Sequence, residues 1–196
     1  MASEALDCHY SITGSGPAIF LTHGIGAAKD AWRFIVPKLS ENFTVIAYDL
    51  RGHGKSPVTH KNFGLDELVL DLERIREKTN INKGHFVGHS LGGMIAPAYA
   101  KKYPDKVMSV GMLSTVAGRS DDDSKKVWSV INEMEEKGIE KTLEKLTTRW
   151  FTDEFITNNS ELVTRRLKQV VDTDPDVFLN VFRIYAKTEM VSWLKD

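Results

Sequence analysis

Gly88-His89-Ser90-Leu91-Gly92-Gly93 is the stretch on which the fold turns. It fits G-x-S-x-G and stands between a short apolar run at 85–88, expected as a strand, and a small-residue segment at 91–103, expected as a helix ending before Pro104. A serine on a one-residue turn from strand to helix is driven into strained backbone, and glycines two residues to either side let neighbouring chain approach without a Cβ clash. Such a turn lifts the Ser90 hydroxyl over the edge of a sheet. The helix N-terminus beside it offers free N–H groups and a positive dipole end to a developing oxyanion. A chance glycine-rich turn is the competing explanation, and the flanking strand and helix count against it.

Working outward, the first half of the chain alternates strand and helix. Ala18–Thr22 follows a Gly14-Ser15-Gly16 turn, 43–48 is a β-branched run, and Val107–Leu113 is a fourth apolar segment. Between them, 30–39 carries Trp32, Ile35, Val36 and Leu39 at helical spacing, and Leu65, Leu68, Val69, Leu72 and Ile75 share one helical face. Strands apolar on both faces, separated by helices, predict an α/β fold with a mostly parallel sheet and flanking helices. Reactive groups in such sheets gather at the carboxyl ends of the strands.

Two further loops fall at those ends. His23-Gly24-Ile25-Gly26 follows the strand Ala18–Thr22, and the expected oxyanion donors are the backbone N–H groups of Ile25 and Leu91. The His23 ring is read as shaping the turn rather than as a catalyst. Asp49-Leu50-Arg51-Gly52-His53-Gly54-Lys55-Ser56 follows the run 43–48 and is expected to be a tight loop anchored by charge-assisted hydrogen bonds of Asp49 and Arg51. Asp49 is also a rival candidate for a catalytic acid, and the structural reading is preferred.

The second half differs in composition. Thirteen of the fourteen glycines precede Arg119, and Gly138 is the remaining one. Residues beyond 119 are charge-rich with apolar stripes, which predicts four or five amphipathic helices, the first capped by Ser120 or a neighbouring aspartate. Trp128, Trp150, Phe151, Phe155, Phe178 and Phe182 read as helix core, or alternatively as the lining of a substrate pocket. Arg165 and Arg166 read as solvated helix charges. Together with Arg149 they are also candidates to meet a substrate carboxylate.

The motifs HGIG, DLRGHGKS and GHSLGG, in that order on a strand–helix alternation, resemble the α/β-hydrolase fold superfamily, and within it the cap-bearing branch of esterases, 3-oxoadipate enol-lactonases and meta-cleavage-product hydrolases. The resemblance implies that residues 1–118 form the N-terminal part of the hydrolase core, 119–190 a helical cap, and 191–196 a return toward a C-terminal core. It implies Ser90 as nucleophile, with His23, Gly24, Gly26, Gly88, His89, Gly92 and Gly93 shaping the site. It also implies a Ser–acid–His order for the triad. Yet the six histidines are His9, His23, His53, His60, His85 and His89, so none follows Ser90. The expected reading is therefore a serine hydrolase of small esters, lactones or activated carbonyls, C-terminally truncated and weak or inactive alone. A second chain or second copy is an alternative source of the missing strands. A non-catalytic binding protein of the same fold and a cofactor-free perhydrolase are the alternative functions.

Composition narrows the partners. A net charge of −1 and a 41% hydrophobic content argue against a cationic nucleic-acid binder and against disorder. No apolar run approaches a membrane span and no secretory leader is legible, so the expected location is the cytoplasm. A single cysteine, Cys8, leaves no disulfide or Cys-based zinc site, and neither metal nor organic cofactor is expected.

Overall fold

The computed structural model describes residues 4–194. Five strands, β1 (Tyr10–Thr13), β2 (Ala18–Thr22), β3 (Thr44–Tyr48), β4 (Gly84–His89) and β5 (Val107–Leu113), form one sheet in the order β1-β3-β2-β4-β5. β1 runs antiparallel to β3, and the other neighbours are parallel. The mostly parallel sheet agrees with the sequence pattern. β1 has no counterpart in that pattern: Tyr-Ser-Ile-Thr is too short and too polar to stand out, and it is fixed only by pairing with β3.

Strand alternation divides the sheet's two faces. Ala18, Phe20, Ile46, Tyr48 and Phe86 point to one side, where they pack with α2 (Leu65–Lys78) and α3 (Gly92–Lys102). Phe20 stacks on Phe86 at 4.8 Å, and Phe86 stacks on Tyr99 of α3 at 4.2 Å. Burying each such side chain stabilises the fold by about 1.5–3 kcal/mol. Ile19, Leu21, Val45 and Ala47 face the other way onto Trp32, forming a second, smaller cluster.

Two expectations are corrected. The helix expected over 30–39 is instead a 3-10 turn at Lys29–Trp32 and a single α turn, α1 (Val36–Leu39). Pro37 sits in the first turn of α1, where its missing N–H and its ring prevent a continuous helix through Phe34 and Ile35, and both of those side chains are exposed. The apolar segment Val107–Leu113 is a strand, but not one buried on both faces. It closes one side of the sheet, and Met108, Val110 and Leu113 are exposed.

After β5 come five helices: α4 (Asp121–Lys137), α5 (Ile139–Trp150), α6 (Asp153–Asn158), α7 (Ser160–Asp172) and α8 (Pro175–Lys187). Ser120 is the N-cap of α4, its Oγ accepting from Asp123 N at 3.2 Å. Asp174 caps α8 in the same way through Asp176 N and Val177 N. These helices share the sheet's core: Ile131, Met134, Val170, Val177, Phe178 and Val181 belong to the cluster that contains Phe20 and Leu72. No helix among the described residues is long and apolar enough to cross a membrane.

Candidate active site

Ser90 stands between β4 and α3 with φ +54°, a left-handed conformation that costs an L-residue about 1–2 kcal/mol. The surroundings hold it there. Its N–H donates to Leu113 O at 2.9 Å, and its own carbonyl accepts from Thr115 Oγ1 at 2.8 Å and from Gly93 N at 2.9 Å. A Cβ on Gly88 would stand 1.8 Å from Gly92 O, and one on Gly92 would stand 2.2 Å from Thr22 O, so strand and helix meet only because both positions are bare. Gly93 gives Thr115 its room, a Cβ there falling 2.7 Å from Thr115 Cβ.

The loop after β2 lies directly against the elbow. A Cβ on Gly24 would be 3.0 Å from Ser90 Cβ and 3.3 Å from His89 Nδ1. Among the described residues, neither Ile25 N–H nor Leu91 N–H donates a hydrogen bond within the protein, and the Ser90 hydroxyl has no hydrogen-bond partner. The Ile25 and Leu91 side chains are both buried in the core, which pins the two peptides.

Four of the six histidines, His9, His23, His53 and His85, have hydrogen-bond partners, and among the described residues no hydrogen bond joins any histidine to Ser90 Oγ. His23 Nδ1 donates to Gly24 O at 2.8 Å while its Nε2 accepts from Leu50 N at 2.9 Å. His53 Nδ1 donates to Arg51 O at 3.0 Å while its Nε2 accepts from Gly26 N at 3.1 Å. Burial pushes both rings well below the ordinary histidine pKa, His23 to about 3 with His53 adding to the shift, and His53 to about 4. His9 Nδ1 bonds Asp49 Oδ2 at 3.0 Å, and His85 Nδ1 bonds Ser109 Oγ at 2.8 Å. His89 adjoins Ser90 on the exposed side of the elbow, its pKa lowered by desolvation and by Arg166.

Asp49 and Arg51 do anchor their loop, by separate means. Asp49 accepts from Lys29 N at 2.7 Å, Lys55 N at 3.1 Å and His9, and these donors outweigh its burial to hold its pKa below the usual carboxylate value. Arg51 forms a bidentate pair with Asp71 of α2 at 2.6 and 2.7 Å, and both side chains are buried.

The aromatics of the second half make contacts of several kinds. Phe178 is fully buried against Gly26, and Phe182 packs beside it at 5.6 Å between ring centres. Phe151 and Phe155 stack on each other at 5.2 Å, with Phe155 exposed. Trp128 lines a groove on the outer faces of α4 and α5 with Lys125, Glu133 and Lys145. Trp150 lies under the Arg166 guanidinium at 4.4 Å. A separate cavity of about 340 Å³ lies behind the two loops, lined by His9, Asp30, Asp49, Lys55, Gln169 and Asp172 among others.

Arg166 is not a solvated charge. Its guanidinium donates to Gly26 O at 2.5 Å and Ile25 O at 2.7 Å, and burial lowers its pKa to about 10. Arg165 pairs with Asp30. Neither contact carries a sequence signal, because both join α7 to a loop more than 130 positions away.

The strained serine between a parallel strand and a helix, faced by a glycine loop from the neighbouring strand, agrees with the wider comparison, in which residues 17–183 match the alpha/beta hydrolase fold family. The chain belongs to that family. It is 29% identical over 177 residues to 3-oxoadipate enol-lactonase 1 of Acinetobacter baylyi, an alignment covering 90% of this chain and 65% of that protein. The chain thus spans less than two thirds of this relative's length. Among solved structures, the enol-lactonase of Burkholderia xenovorans LB400 superposes with a TM-score of 0.86 at 23% identity, covering 95% of this chain and 74% of that one. A thermophilic esterase of Thermogutta terrifontis superposes with a TM-score of 0.83 at 23% identity, covering 95% and 69%. At these identities the superpositions speak for the fold.

Proposed function

We propose that this alpha/beta hydrolase family member is a serine hydrolase, that Ser90 is its nucleophile, and that its substrates are small esters or lactones. One observation carries the reading: Ser90 is held at φ +54° with an unengaged hydroxyl, beside two unengaged backbone donors, Ile25 N–H and Leu91 N–H. Such a strained elbow is expensive and is kept where it aims a reacting group. In the proposed step Ser90 Oγ attacks the carbonyl carbon and gives its proton to a base. The carbonyl oxygen becomes an oxyanion held by the two N–H groups, and the leaving alkoxide takes the proton as the acyl-serine forms. Water repeats the sequence to release the acid. Each oxyanion donor is worth about 2.7–4 kcal/mol in such reactions.

The hydrogen-bonded histidines are unsuited to be the base. His23 and His53 are committed at both nitrogens and disfavour protonation, and His9 and His85 are engaged elsewhere. His60 and His89 make no hydrogen bond to Ser90 Oγ among the described residues either, and we assign the base to a segment outside these 196 residues, whether a continuation of the chain or a second chain. The open edge of β5, whose last residue Leu113 lies beside the elbow, is where strands carrying it would add. The similarity to an enol-lactonase favours a lactone or ester carbonyl over other acyl groups.

Intact-mass spectrometry with a fluorophosphonate tests this. The expected result is slow addition at Ser90, acceleration by added imidazole acting as the missing base, and no adduct on Ser90→Ala. An adduct on Ser90→Ala, or none on the wild type with imidazole, overturns Ser90 as nucleophile. Fast stoichiometric addition without imidazole overturns the assignment of the base to another segment.

A further inference from the structure

Helix α7 is latched to the loop after β2 by consecutive and one-turn-spaced side chains. Arg165 pairs with Asp30, Gln169 Nε2 donates to Asp30 Oδ1 at 2.8 Å, and Arg166 donates to the carbonyls of Ile25 and Gly26. Val170 and Phe178 press on Gly26 from the same side. Arg166 differs from its neighbours in having no carboxylate within ion-pair distance among the described residues. A guanidinium withdrawn from water without a paired carboxylate is costly; Asp30 acts on it only at a distance, and it spends its fork on two successive backbone carbonyls while its face rests on Trp150.

Those carbonyls belong to the peptides immediately after the Gly24–Ile25 peptide, whose N–H is the oxyanion donor in the function proposed above. Gly26 has φ +60°, so the loop reverses between the two anchored carbonyls. With both oxygens held, the torsions of Ile25 and Gly26 are set, and with them the direction of Ile25 N–H relative to Ser90. We propose that Arg166 is a positioning residue for the oxyanion loop, so that the helical segment which would cover the substrate also sets the loop in its stabilising geometry. The inference rests on the reading of Ile25 as an oxyanion donor. A lysine at this position keeps the charge but offers a single point donor that cannot bridge two carbonyls in a fixed plane.

The test compares wild type, Arg166→Lys and Arg166→Gln in imidazole-assisted fluorophosphonate labelling of Ser90, alongside amide hydrogen exchange read by NMR. The expected result is a tenfold to hundredfold fall in the maximal labelling rate in both variants, with the half-saturating probe concentration unchanged, and faster exchange confined to residues 24–28. Lysine does not rescue. Labelling and exchange at wild-type values in a folded Arg166→Gln overturn the proposal, as does a rescue by Arg166→Lys. If the wild type takes no label while exchange at 24–28 still quickens in Arg166→Gln, the nucleophile reading fails and the latch on the loop stands. If exchange is also unchanged, both fail.

Discussion

His23 and His53 exchange backbone partners: each ring's Nε2 accepts an N–H from the loop that carries the other ring, Leu50 N for His23 and Gly26 N for His53. The two rings lie 5.5 Å apart and are buried. Both must be neutral, because an accepting Nε2 carries no proton. The loops after β2 and β3 are thus stitched through two imidazoles, and the stitch fixes the rear of the loop whose front faces Ser90.

A pH dependence of stability follows. The folded-state pKa is about 3 for His23 and about 4 for His53, against ~6.5 in an unfolded chain. Below ~6.5 the unfolded chain binds protons that the folded one refuses, so stability falls as pH falls. The contribution is complete above ~6.5 and is lost progressively toward about 4 and then about 3. Urea unfolding should show little change from these rings between pH 7.5 and ~6.5, and below that a decline on the order of 1 kcal/mol per pH unit for each ring down to pH 4.5. A flat profile over that window would mean that both rings take up protons in the folded state as readily as in the unfolded chain, and so that neither Nε2 is held as an acceptor.

The buried pair Arg51–Asp71 makes the second prediction. Arg51 also donates to Glu4 O and Glu67 O and lies over the Phe63 ring at 5.1 Å, so it cannot swing to water when its carboxylate is removed. Asp71 additionally accepts from Leu6 N at 2.7 Å. Asp71→Ala is expected to cost about 3–5 kcal/mol, because it leaves a buried charge uncompensated. Denaturant midpoints at pH 7 measure it, and a loss below ~1 kcal/mol would mean that the pair is as weak as an exposed one.

These two networks show where sequence reading succeeds and where it stops. The elbow, the loop glycines and the strand–helix alternation are local patterns, legible because each depends on residues within a few positions of one another. Asp49, Arg51 and His23 were legible as loop anchors, but their partners were not. Asp71 lies 20 positions from Arg51, and Leu50 lies 27 from His23. The break at Pro37 was legible in principle and was masked by the stronger apolar spacing of Trp32, Val36 and Leu39. The exposure of β5 was hidden for another reason: Val-Met-Ser-Val-Gly-Met-Leu reads as a central strand, and only the sheet order reveals an unpaired neighbour.

That edge carries the third prediction. Met108, Val110 and Leu113 are 55%, 37% and 44% exposed on a strand with one open hydrogen-bonding side, which makes a template for another strand. Light scattering of this chain is expected to rise with concentration, and Met108→Lys to suppress the rise with little change in stability, since a lysine on an edge strand disfavours pairing. Equal scattering from both proteins would place the self-association elsewhere.

The last prediction concerns the elbow itself, through two substitutions that both remove the nucleophile. Ser90→Ala leaves a Cβ in the left-handed region at φ +54°, whereas Ser90→Gly removes it. In an ordinary helix or strand glycine is the less stable of the two by about 0.5–1 kcal/mol. At this turn the order should invert, with Ser90→Gly more stable than Ser90→Ala by about 1 kcal/mol, because the steric cost of the left-handed conformation outweighs the extra backbone entropy of an unfolded glycine. Equilibrium urea unfolding of the pair measures the difference directly. The ordinary order would mean that the turn relaxes out of the left-handed region once the hydroxyl is gone, and that the bonds from Leu113 O and Thr115 Oγ1 do not hold it there. The inverted order would show the strain to be imposed by the surrounding backbone, as an aimed nucleophile requires.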